Sequence, residues 1–100
     1  MSSKQKIILV TNDDGITAPG IKALVEAVKG LGKVLVVSPD RPQSGMGHAI
    51  TVNDPMRLYP SKAHGNLEAY ACSGTPVDCV KLGIFEILKK SPDLIVSGVN

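Results

Sequence analysis

One hundred residues make one domain or part of one, and a hydrophobic fraction of 43% is enough to build a core. Aromatics are only 3%, with no Trp, so the core is aliphatic and lacks the stacking platforms of single-stranded nucleic-acid binders. Net charge is +2, from eleven basic and nine acidic residues with no basic block, which excludes the electrostatic footprint of a duplex-DNA binder.

The polar start, Met1 to Lys6, leads into four consecutive apolar residues, Ile7-Ile8-Leu9-Val10. Four are too few for a signal-peptide core or a membrane span, so a cytoplasmic location and no membrane partner are expected. The run is continuous rather than alternating, which predicts a strand buried on both faces over residues 6–11. A helix is predicted from Pro19 to Lys29, with Ile21, Leu24, Val25, Val28 and Leu31 on one face. Pro19 suits its first turn, and Gly30 and Gly32 stop it. Val34-Leu35-Val36-Val37 is a second buried strand, ended by Ser38-Pro39-Asp40-Arg41-Pro42. Strand, helix, strand over about thirty residues is a βαβ unit with parallel strands. Ile50-Thr51-Val52, Met56-Arg57-Leu58-Tyr59 and Leu67 to Ala71 read as short strands of an antiparallel excursion.

Thr75-Pro76-Val77-Asp78 is a helix start, with Thr75 as cap and Asp78 closing a capping-box-like pair. Val77, Val80, Ile84, Ile87 and Leu88 form its apolar stripe, and it should end near Lys89-Lys90, whose charges suit a helix C-terminus. Leu94-Ile95-Val96 is a further buried strand that delivers Ser97-Gly98-Val99-Asn100 to its carboxyl end. Cys72 and Cys79 match neither a redox pair nor a zinc knuckle and read as two buried thiols. Residues 1–100 are expected to be a single α/β domain, the N-terminal part of a longer protein.

The stretch with most chemistry is Thr11-Asn12-Asp13-Asp14-Gly15, where a buried strand breaks into a turn. Asp-Gly is common in turns, but a turn needs one Asp and gains nothing from a second charge. Two carboxylates about 4 Å apart repel by about 1 kcal/mol in water and about 4 kcal/mol at an effective dielectric near 20. A divalent cation offsets that directly. Hard oxygen ligands without thiolate favour magnesium, manganese or calcium over zinc. Three apolar strands end in polar clusters: Asn12 to Asp14, Ser38 to Ser44, and Ser97 to Asn100. In a parallel sheet all three lie on the ligand-binding edge. Spacing alone does not rank Ser44 above Ser38. His48 can be a general acid or phosphate contact, whereas His64 lies in a turn and reads as solvated surface. Gly74-Thr75 offers free N–H groups that an anion or its own cap can use.

These residues resemble the SurE-type survival proteins, metal-dependent 5′-nucleotidases. The resemblance is carried by Ile8 to Gly15, Ala18-Pro19-Gly20-Ile21, Ser38-Pro39-Asp40-Arg41, Ser44-Gly45, Gly47 to Thr51, Gly74 to Val80 and Asp93 to Asn100. It implies a Rossmann-like three-layer sandwich with a mostly parallel sheet, truncated here at its C-terminus. It implies one divalent cation per subunit (Mg2+, Mn2+ or Ca2+) held by Asp13, Asp14, Ser44 and Asn100, with Asp13 and Asp14 catalytic. Asn12, Gly45, His48 and Thr75 are the expected substrate-binding residues. The implied activity is a 5′-nucleotidase or acid-phosphatase-type hydrolysis of nucleoside 5′-monophosphates by a homodimer or homotetramer. The alternative is a receiver-like or non-catalytic metal- or nucleotide-binding module. A receiver needs a phosphoacceptor Asp at the end of a later strand, where this sequence offers Ser97 and Asn100.

Overall fold

The computed structural model describes residues 6–41 and 57–98. Its strands are β1 (Ile7–Thr11), β2 (Lys33–Pro39), β3 (Leu58–Pro60), β4 (Glu68–Cys72) and β5 (Leu94–Ser97); its helices are α1 (Pro19–Val28) and α2 (Pro76–Leu82). They form one sheet in the order β3-β4-β2-β1-β5. β1 is parallel to β2 with Leu9 beside Leu35, and parallel to β5 with Thr11 beside Ser97. β4 is parallel to β2, and only β3, paired with β4, is antiparallel.

The continuous apolar runs explain the layering. Alternate residues of a strand face opposite sides of the sheet. Ile8 and Val10 of β1 and Val34 and Val36 of β2 pack with Ile21, Val25 and Val28 of α1. Leu9, Leu35 and Val37 pack on the other face with Cys72, Cys79 and the apolar residues of α2 and the turn after it. Each buried aliphatic side chain contributes about 1.5–3 kcal/mol. The result is the expected Rossmann-like three-layer arrangement, with α1 and α2 on opposite faces. Gly83 marks how closely the second helical segment approaches. A Cβ there would lie 3.2 Å from Val37 Cγ2 and 3.3 Å from Leu9 Cδ1.

Several elements differ from the sequence expectation. Among the described residues the excursion is antiparallel through β3 alone, because β4 joins the parallel sheet beside β2. The segment Ile50-Thr51-Val52 lies outside the described residues. β2 runs two residues further than Val37, since Ser38 and Pro39 still pair with β4. Leu31 is 62% exposed rather than on the buried face. The chain tightens into a 3₁₀ turn at Lys29–Leu31, and the 3.6-residue period ends there. Val77 is 63% exposed, and Cys79 takes the buried place in α2.

The second helix also changes type. Gly83–Leu88 is a π-helical turn, closed by the Lys89 N–H on the Ile84 carbonyl at 2.7 Å with Lys89 left-handed. β5 was expected to be buried, but Leu94 and Ile95 are each 46% exposed. Among the described residues β5 pairs with β1 alone, which leaves its other side uncovered there.

Both cysteines are free and buried, as expected. The shared hydrogen bond with Cys72 raises the Cys79 thiol well above its ordinary range. The Gly74 N–H also donates to Cys72 Sγ at 3.2 Å. No helix of the described residues is long and apolar enough to cross a membrane.

Candidate functional site

β1, β2, β4 and β5 run in parallel, so their carboxyl ends share one edge of the sheet. From β1 the chain crosses to β2 on one side, while β5 lies on the other side of β1. The strand order therefore reverses at β1, and the crevice at such a reversal is where open α/β sheets bind ligands. Asn12-Asp13-Asp14-Gly15 emerges at that point.

A buried hydrogen-bond frame fixes the loop. The Asn12 N–H donates to Ser38 Oγ at 3.1 Å, and Ser38 Oγ donates back to Asn12 Oδ1 at 2.5 Å. The Gly15 N–H donates to the same Oδ1 at 3.2 Å, and Asn12 Nδ2 donates to the Gly15 carbonyl at 3.0 Å. Asn12 and Ser38 are wholly buried. Gly15 has φ +106°, a conformation only glycine adopts cheaply. Downstream, the Ile16 N–H donates to the Pro39 carbonyl at 2.9 Å, and His64 Nε2 meets the Ile16 carbonyl at 3.0 Å. The carbonyl only accepts, so this contact places a proton on Nε2. His64 is thus a half-buried part of the loop's support rather than solvated surface.

Asp13 and Asp14 sit between the two locked ends. Both are half-buried, and neither has a hydrogen-bond or ion-pair partner among the described residues. Thr11 Oγ1, just before the loop, is buried and also lacks a hydrogen-bond partner there. Leaving such a hydroxyl unmet costs about 1–3 kcal/mol. Two partnerless carboxylates on one short loop are hard oxygen donors, and they fit a magnesium-, manganese- or calcium-type cation. Among the described residues no group of three or more His, Cys, Asp or Glu comes together. The implied set contains only two such side chains, so the acidic pair is its charged half.

The remaining expected residues divide in two. Ser44, Gly45, His48 and Asn100 lie outside the described residues. Of those described, Asn12 was expected to touch substrate, but its side chain is enclosed and committed to Gly15 and Ser38. Thr75 caps α2. Its Oγ1 accepts from the Asp78 N–H at 3.2 Å, and the Thr75 N–H donates to Asp78 Oδ2 at 3.0 Å. Ser38, left level with Ser44 by spacing, has its hydroxyl used in both directions by Asn12.

At the β2 end, the Tyr59 hydroxyl donates to Asp40 Oδ2 at 2.7 Å, while Arg41 Nε lies 3.4 Å from Asp40 Oδ1. The supporting roles of Ser38 and His64 were missed. Their only sequence signal was position, one at a strand end and one in a turn.

Known proteins place this edge in context. A protein named 5′-nucleotidase SurE from Flavobacterium johnsoniae is 57% identical over 101 aligned positions, covering 100% of this chain and 39% of the relative. A namesake from Flavobacterium psychrophilum is 59% identical over 95, covering 94% of this chain and 37% of its own length. The crystal structure of the SurE protein from Aquifex aeolicus superposes with a TM-score of 0.76 at 46% identity, over 94% of this chain and 37% of that one. The chain thus spans about two-fifths of the length of these relatives. The profile of the family described as "Survival protein SurE" matches residues 8–100, which takes in the acidic loop and its supports, and on that match the chain belongs to the SurE family.

Proposed function

We propose that the full-length protein is a divalent-metal-dependent phosphomonoesterase acting on nucleoside 5′-monophosphates. The observation that carries this reading is the acidic pair, half-buried and without partner among the described residues, at the reversal point of a parallel sheet. The names of the relatives support the nucleotidase part. Asp13 and Asp14 would hold the cation, with Ser44 and Asn100 completing the set. Bound there, a divalent cation would supply charge neutralisation for the phosphoryl oxygens and lower the pKa of a coordinated water.

The chain's own residues set the geometry. Asn12 and Gly15 fix the loop at both ends, so the two carboxylates need little reorganisation when substrate arrives. One of them accepts a proton from, or orients, the attacking water. Gly45, His48 and Thr75 remain the proposed substrate contacts. The proposed place of work is the cytoplasm, and the proposed assembly a homodimer or homotetramer.

The test is phosphate release from a panel of nucleoside monophosphates by the full-length protein, with Mn2+ or Mg2+ and with EDTA. Release that needs metal, and that Asp13→Asn reduces by at least about a hundredfold, is expected. Metal binding without release would move the reading to a binding module.

A further inference from the structure

We infer that Ser38 is a positioning residue for the acidic pair, acting through Asn12. The inference rests on the reading of Asp13 and Asp14 as cation ligands and adds a residue to that centre. Asn12 bridges both sides of the pair, since its side chain holds Gly15 through Oδ1 and Nδ2. What holds Asn12 is Ser38, 26 residues away at the end of β2, which takes the Asn12 N–H and gives its own hydroxyl proton to Oδ1. The frame is closed, because the Ser38 oxygen accepts one proton and donates another. Asp13 and Asp14 have no partner of their own among the described residues. Their placement therefore follows the backbone, and the backbone follows this frame.

Supporting groups around a metal ligand set change affinity by about 10- to 100-fold when removed. Removing the Ser38 hydroxyl leaves the buried Asn12 N–H unmet and frees Oδ1 from one of its two donors. The carboxylates and the two Asn12–Gly15 bonds remain, but the turn loses the tie that holds it to the end of β2.

The experiment uses the full-length protein and reads Mn2+ binding directly, by calorimetry and by the electron paramagnetic resonance of bound Mn2+. Ser38→Ala is compared with Val36→Ala, a core substitution on the same strand that lowers stability and removes none of the frame's hydrogen bonds. Ser38→Ala should weaken Mn2+ binding about 10- to 100-fold, with Val36→Ala close to wild type. Equal affinities in Ser38→Ala and wild type overturn the inference, as does an equal loss in both variants. A wild-type protein that binds no Mn2+ overturns the proposed function instead.

Amide hydrogen exchange of the wild type decides the frame even if Ser38→Ala does not fold. The Asn12 and Gly15 amides should exchange roughly tenfold or more slowly than those of Asp13 and Asp14. Equal rates for all four mean the frame does not exist in solution.

Discussion

Two polar clusters stand on the carboxyl edge of the sheet, and each is built from reciprocal side-chain and backbone hydrogen bonds. The Thr75–Asp78 box is exposed and closes on itself across three residues. The Asn12–Ser38 frame is buried and closes across 26. Water can replace a partner lost from the first but not from the second. A bond lost from each therefore carries a different cost, because an unmet polar group is expensive only where solvent cannot reach it.

The largest effect should come from deleting the centre of the buried frame. Asn12→Ala strands the Gly15 N–H, the Gly15 carbonyl and the Ser38 hydroxyl in one step. A loss of about 3 kcal/mol is expected by denaturant unfolding of the full-length protein. Gly15→Ala should cost about 1–3 kcal/mol, since it forces a side chain into φ +106° while leaving the frame's donors and acceptors in place. Thr75→Ala should cost about 1 kcal/mol, the ordinary worth of an exposed N-cap. A Thr75→Ala loss as large as that of Asn12→Ala would break the comparison.

The same contrast governs what could be read without coordinates. The capping box was legible because its residues are neighbours in sequence, and Thr75 three before Asp78 is itself the signal. Asp13 and Asp14 were legible because a continuous apolar run leads straight into them. The bond from Ser38 to Asn12 was not, since nothing at either position names a partner 26 residues away. The β2–β4 pairing escaped for a like reason. The alternation in Glu68–Cys72 marks a strand but not its neighbour. Leu31 was assigned to a buried stripe by assuming one helical period throughout, and the chain leaves that period at a 3₁₀ turn, whereas Val77 lies in the first turn of α2, where Cys79 takes the buried place. Gly83 marks a separate close approach. The helix comes so near Val37 and Leu9 that only a residue without Cβ fits undisturbed, and Gly83→Ala should cost about 1–3 kcal/mol through overpacking.

Burial and sequence separation change together between the two clusters, and a third contact separates them. The Tyr59 hydroxyl reaches Asp40 Oδ2 across 19 residues, but Tyr59 is 41% exposed. If burial sets the cost, Tyr59→Phe should lose only about 0.5 kcal/mol; if separation does, it should rival Asn12→Ala. The contact also has a titration signature. The hydrogen bond to the Asp40 carboxylate, followed by burial, raises the Tyr59 phenol above its ordinary 10.0. A folded pKa above the unfolded one stabilises the neutral, folded form. That contribution is complete below pH 10 and is lost as pH rises through the folded value. Tyr70 is raised too, but first by burial and then by Glu68. A residue-resolved NMR titration should therefore show late ionisation of both Tyr59 and Tyr70, and Asp40→Asn should bring only Tyr59 back toward 10. Were both to move, or neither, the Tyr59–Asp40 bond would not hold in solution, and exposure could not be separated from distance by this contact.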